Sequence, residues 1–278
     1  MKKFHIENAS PINGDEDQQK IESEIIQYLS SRYRNLCPRM LYFRVRVKNP
    51  DEVRLLYMHS KYALRISTIK YDKLENGKGF KHAHDIIKGF LQTNSHYRFL
   101  YVSLKLEDED GAHANFLLID AMKKTIERFE PHGFDAEEFS QKKIDNVIIS
   151  FFEVNLDLKY LPLKSTNLKV GLQAIENFEK GKEVGEIEGY CLPWCLFFLH
   201  MRVANPDMNP RTLLRETIRE IKKLSEKSLL NFIRSYTKNL YFHKPKKIDF
   251  MGESLHDTVQ KQTWTSFLTN VLYNFWEI

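Results

Sequence analysis

Glu188-Gly189-Tyr190-Cys191-Leu192-Pro193-Trp194-Cys195-Leu196-Phe197-Phe198-Leu199-His200 is the stretch from which the rest of the chain is best read. Proline is tolerated in the first turn of a helix, where a backbone N–H has no intrahelical partner to lose, and the apolar run to Leu199 predicts a helix hidden on all sides. Cys191 then stands at a helix N-terminus, where the positive end of the dipole favours thiolate over thiol. A thiol placed in this way is a candidate nucleophile, and it needs a base.

The chain has 278 residues, of which 42% are hydrophobic and 28% charged, a composition that excludes disordered and fibrous classes. The start, Met1-Lys2-Lys3-Phe4-His5, lacks the apolar region of a signal peptide, and no stretch reaches the roughly 18 to 20 apolar residues that span a bilayer. No secretion through a signal peptide and no membrane partner are therefore expected. Three cysteines, Cys37, Cys191 and Cys195, do not make a disulfide framework and suit a reducing, intracellular compartment. The net charge of +5, with basic residues at Lys222-Lys223, Lys238 and Lys244-Pro245-Lys246-Lys247, leaves nucleic acid as an additional candidate partner.

Hydrophobic periodicity predicts an amphipathic helix from Asp15 to about Arg34, closed by Cys37-Pro38. Strands are predicted over 40–47, 53–58, 62–69 and 97–104, with a short helix over 82–92. A hairpin follows, Ala112 to Asp120 and Thr125 to Gly133. With Asp120 to Lys123 as its loop, Ile119 faces Lys124, and the same register sets His113 opposite Glu130. Beyond it lie a helix over 135–152, a strand over 156–163, a β-like or loop segment at Gly171-Leu172-Gln173, the Cys191 helix, and helices over 210–225, 226–239 and 256–275. Mixed strands and helices in this order predict an α+β fold with a central sheet.

A cysteine nucleophile requires a base, a group that orients the base, and donors for the oxyanion. His113, Glu130 and Gln173 are the candidates beside Cys191. At these residues the chain resembles the adenain and SUMO-protease superfamily of cysteine peptidases, which includes the adenovirus and African swine fever virus proteases. The order His113, Glu130, Gln173, Cys191 is similar to the family's His, acid or Asn, Gln, Cys. Phe129-Glu130-Pro131-His132-Gly133-Phe134 resembles the family's acid motif, and Cys191 to His200 resembles its nucleophile helix. The chain departs from the pattern at Ala114, where the family usually has Trp, at Leu192, where it has Gly, and in the longer separation of Gln173 from Cys191.

The resemblance implies a papain-like, adenain-like fold and a thiol peptidase with Cys191 as nucleophile, His113 as base, Glu130 orienting the imidazole and Gln173 donating to the oxyanion. It implies a protein substrate, either ubiquitin or a ubiquitin-like modifier, or a viral polyprotein, and a location in host cytoplasm or virion. It spans roughly residues 97–206. Residues 1–95 are expected to be an N-terminal α/β region serving as substrate platform, and 96–278 the catalytic domain with C-terminal helices. YopJ-type acetyltransferases share the His, acid and Cys arrangement, so acetyl transfer is the alternative, with Lys244 to Lys247 as candidate contacts for coenzyme A phosphates. Cys195 and His200 lie near Cys191 in sequence, but the further ligands of a metal site are missing; no metal or other cofactor is expected.

Overall fold

The computed structural model describes residues 15–49, 52–58, 69–70, 73–74, 78–92, 96–109, 111–136, 140–179, 190–224 and 229–242. In chain order the elements are α1 (Asp15–Arg32), β1 (Leu36–Asn49), β2 (Glu52–Met58), β3 (Ile69–Lys70), β4 (Lys73–Leu74), α2 (Lys78–Gln92), β5 (Phe99–Glu107), β6 (Ala112–Asp120) and β7 (Thr125–Phe129). There follow α3 (Gln141–Leu156), β8 (Lys159–Leu161), α4 (Leu163–Thr166), α5 (Leu172–Glu179), α6 (Cys191–Ala204), α7 (Pro210–Leu224) and α8 (Leu229–Phe242).

The alternation of side chains along the central strands builds two apolar layers. On β5, Phe99 and Tyr101 face one layer while Leu100, Val102, Leu104 and Leu106 face the other; on β6, Phe116 and Leu118 oppose Leu117 and Ile119 in the same way. Helices α1, α6, α7 and α8 cover the first face and α2 and α3 the second. Both faces being covered, β5 and β6 read as nearly unbroken apolar runs. The result is an α+β fold on a mixed eight-stranded sheet in the order β4-β3-β2-β1-β5-β6-β7-β8. The pairs β1/β5 and β7/β8 are parallel, and the other neighbours antiparallel. The sheet and both layers run across residue 95, because β1 lies beside β5 and α1 packs in the layer that holds α6.

Several local expectations are corrected. Strand β1 begins at Leu36 and so includes Cys37 and Pro38; its ladder with β5 shifts between Leu36 and Met40, where proline has no N–H to donate. The hairpin loop is Ala121 to Lys124, not Asp120 to Lys123, because Asp120 stays in the ladder opposite Thr125 and accepts the N–H groups of Met122 and Lys123 at 3.0 and 3.1 Å. Arg98 holds the same carboxylate through Nε and Nη2 and reaches Asp207 and the Pro206 carbonyl beyond α6. Helix α3 starts at Gln141, and Gln173 lies on α5 and not in a β-like segment. The segments 1–14, 62–68 and 181–189, the Lys244 to Lys247 cluster and the helix expected over 256–275 lie outside the described residues.

His200 joins three helices of the first layer. Its Nε2 is 2.8 Å from the Tyr33 hydroxyl just after α1, and its Nδ1 is 3.4 Å from the Tyr236 hydroxyl on α8. Burial pushes its pKa from 6.5 down to about 4. The unfolded chain thus binds this proton more readily than the folded one, and the stability linked to it is full above the unfolded pKa and declines as pH falls toward 4. Between pH 7 and pH 5 the loss is about 2 kcal/mol for a shift of this size. Urea unfolding is expected to show that much more loss in the wild type than in His200→Phe over this interval; equal pH slopes in the two proteins would contradict the assignment.

Candidate functional site

Glu130 follows the last residue of β7 and is almost wholly buried. A carboxylate there is stable only if every oxygen finds a donor. Oε1 accepts from His113 Nε2 at 2.6 Å and from the His132 main-chain N–H at 3.0 Å; Oε2 accepts from Asn115 Nδ2 at 3.0 Å and lies 3.5 Å from Arg128 Nη2. Arg128 is itself buried, and its remaining donors reach Asn115 Oδ1, Asp145 and Gln141. Burial alone would raise the Glu130 carboxyl, but the charge and hydrogen bond of His113, with Arg128, outweigh it and hold the group at about 2.

The register that produces this contact differs from the expected one by two positions. Phe116 pairs with Phe129 and Leu117 with Arg128, so continuing the ladder sets Asn115, rather than His113, opposite Glu130. A two-residue shift keeps all side chains on their faces, and His113, one step along the same face, still reaches the carboxylate on the diagonal. Asn115 and Arg128 are the supporting residues that the sequence reading missed. The correct register would have revealed both, since each shares a face with His113 and Glu130.

Cys191 opens α6, as expected from Pro193. The His113 ring and the main chain of Ala114 and Leu192 lie near enough to its thiol to act on its ionisation. Burial raises a thiol pKa, but here the His113 hydrogen bond and charge win and carry it below its usual value. Burial likewise disfavours an imidazolium, yet the Glu130 charge and the bonds to Cys191 and Glu130 raise His113 well above its usual value. The two displacements are of opposite sign, and each favours the charged form of its group. Cys191 is partly exposed, whereas Cys37 and Cys195 are buried. The Cys195 thiol is pushed far up by burial and lies 3.4 Å from the Ala114 carbonyl oxygen, which suits a packing residue.

The turn after Glu130 is laced to the segment before α5. The Glu130 N–H donates to Asn167 Oδ1, Phe134 N–H to the Leu168 carbonyl, Gly171 N–H to the His132 carbonyl, and Gln173 N–H to the Pro131 carbonyl. Gly133 adopts φ +101° in this turn. The lacing puts Gln173, buried, at the first turn of α5 beside the acid turn, and its Oε1 has no hydrogen-bond partner among the described residues. On the next turn Glu176 accepts the Trp194 indole N–H at 2.8 Å, tying α5 to α6. Helix α5 and the segment after it account for the long separation of Gln173 from Cys191. No hydrogen bond joins the Gln173 side chain to Cys191 among the described residues.

His132 stacks on His113 with ring centroids 4.6 Å apart and 18° between planes. His113, Glu130 and His132 each offer a ligand atom, and these atoms lie within 4.8 Å of one another. Among the described residues, neither Cys195 nor His200 joins this group, and no helix is long and apolar enough to cross a membrane.

No family model matches the chain. It is similar, at 27% identity over 189 residues, to a putative ankyrin repeat protein of Acanthamoeba polyphaga mimivirus, a match covering 63% of this chain and 25% of that protein. The chain thus corresponds to about a quarter of that relative's length. An ankyrin repeat is a turn with two helices; the described residues here are organised on an eight-stranded sheet.

Gly171 is where the lacing is tightest. A Cβ there would stand 2.2 Å from the Pro131 carbonyl oxygen and 2.5 Å from the Gly133 nitrogen, both main-chain atoms with little freedom to move. At Gly89, inside α2, a Cβ meets nothing within 4 Å. Gly171→Ala is expected to lose about 1–3 kcal/mol in urea unfolding, while Gly89→Ala gains up to about 1 kcal/mol from helix propensity. Equal stability of Gly171→Ala and wild type would show that the two segments are not in contact.

Proposed function

We propose that the chain is a cysteine peptidase of adenain-like type that cleaves a peptide or isopeptide bond through a Cys191 acyl-enzyme. The observation that carries the reading is the buried His113–Glu130 hydrogen bond of 2.6 Å, with the His113 ring near enough to Cys191 to lower its thiol pKa. In this reading the thiolate attacks the substrate carbonyl carbon, forming the C–S bond, and His113 delivers its proton to the departing amine. Water then attacks the thioester, giving a proton to His113, and the C–S bond breaks to release the acid and regenerate the thiol. Glu130 stabilises the imidazolium and fixes the ring. The Cys191 main-chain N–H at the start of α6 and the Gln173 amide serve the oxyanion.

The substrate is a protein: ubiquitin or a related modifier, or a viral polyprotein. The match to a mimivirus protein supports a large-DNA-virus setting for the chain. Acetyl transfer would draw on Lys244 to Lys247, and no observation on the described residues favours it. A panel of ubiquitin, SUMO and related probes with C-terminal electrophiles separates the substrate classes. Labelling by one of them identifies a modifier protease. Failure of all, with Cys191 still reactive to a small alkylating reagent, directs attention to polyprotein cleavage.

The electrostatics give two expectations. Because the Cys191 thiol is depressed, its thiolate persists below the ordinary thiol pKa of about 8.5 and is lost only as pH falls through the lower value. The alkylation rate of Cys191 with iodoacetamide is expected to have its midpoint below that of a free thiol, and Glu130→Gln, which removes the charge supporting imidazolium, should move it upward. A midpoint at or above the free-thiol value in the wild type would contradict the ion pair. Glu130→Gln is also expected to lower kcat/KM by about 10²–10⁴-fold on a cleavable substrate, and an unaltered rate would remove Glu130 from the mechanism.

A further inference from the structure

His132 has no part in the proposed acyl transfer, yet it is buried and held in place against the two residues that support Cys191. Its ring stacks on His113, its main-chain N–H binds Glu130 Oε1, and its carbonyl accepts from Gly171. Two imidazoles and a carboxylate with ligand atoms inside 4.8 Å form the donor set that suits a borderline transition-metal ion. Calcium and magnesium want oxygen donors throughout. We propose that His113, Glu130 and His132 bind a divalent transition-metal ion, with Zn²⁺ the best match.

The supporting shell for such an ion is already built. Glu130 Oε2 is held by Asn115 and Arg128, leaving Oε1, the oxygen that faces both histidines, for the metal. With metal–nitrogen distances of about 2.0–2.1 Å, tetrahedral ligand atoms stand about 3.4 Å apart. The His113–Glu130 contact of 2.6 Å must therefore open slightly, and the His132 ring must settle inward. Water completes the coordination. The ion replaces the proton between His113 Nε2 and Glu130 Oε1, releasing it to solvent, and takes the Glu130 charge for itself. His113 is then held as a metal-bound neutral ring. Cys191 is not a member of this ligand group.

The test uses the whole chain stripped with a chelator, and its readout is metal binding, so it stands or falls without the peptidase reading. Titration with Zn²⁺ in a calorimeter, and with Co²⁺ followed by visible absorption, is expected to show one ion per chain. His132→Phe keeps the stacked ring and the main-chain N–H but offers no ligand atom, and should weaken binding at least about tenfold; Cys191→Ala should bind as the wild type does. Equal Zn²⁺ affinity in wild type and His132→Phe, no saturable binding, or loss of binding in Cys191→Ala would each overturn the site.

Discussion

A carboxylate buried in this sheet has to be surrounded by donors, and the folding of residues 112–173 around Glu130 follows from that requirement. Four groups meet its two oxygens: the His113 ring, the His132 main chain, Asn115 and Arg128. Each comes from a different part of the hairpin or its turn. Arg128 is in turn neutralised by Asp145 of α3, so the charge balance extends from the hairpin into the helix layer on the second face. Tyr160 of β8 donates to the same Asp145. The same carboxylate holds His113 against Cys191, which makes one buried charge responsible both for the local fold and for the chemistry proposed there.

Helix α6 carries the candidate nucleophile across the other face and is fixed at both ends. Near its start Trp194 bonds to Glu176 of α5; near its end Arg202 pairs with Glu127 of β7 through Nε and Nη2 and caps the carbonyls of Asn205 and Met208. In between, Phe198 stacks on Phe129, the residue before Glu130. The first turn of α6 and the end of β7 are thus held in register by packing and by a buried ion pair, and a thiol at residue 191 has little freedom relative to residue 130. Such preorganisation is what differential stabilisation of a transition state requires.

Much of this was legible in the sequence because it depended on local rules. Proline after Cys191 and the apolar run marked the α6 start, and alternation marked β5, β6 and β7. The hairpin register was read two positions away because the Asp120 side chain, not the chain's apolar pattern, decides where the turn begins, and Asp120 is fixed by Arg98 from outside the hairpin. The face survived because the error was even. Helix α5 reads as β-like or loop in the sequence, since eight residues carry weak periodicity and its placement rests on main-chain lacing to the turn at Pro131. The roles of Asn115 and Arg128 are tertiary: nothing in their spacing distinguishes them from ordinary strand residues until the register is known. Likewise, only the fold brings the His132 ring onto His113.

The most direct measurement is an acid quench of the chain during turnover of a cleavable protein or modifier substrate, followed by intact and peptide mass spectrometry. The account predicts a transient acyl adduct on Cys191 that accumulates when the nucleophilic water is outcompeted and is absent in Cys191→Ala. Cleavage that proceeds with Cys191 free of adduct, or in its absence, would contradict it, as would an adduct carried by Cys195 or Cys37.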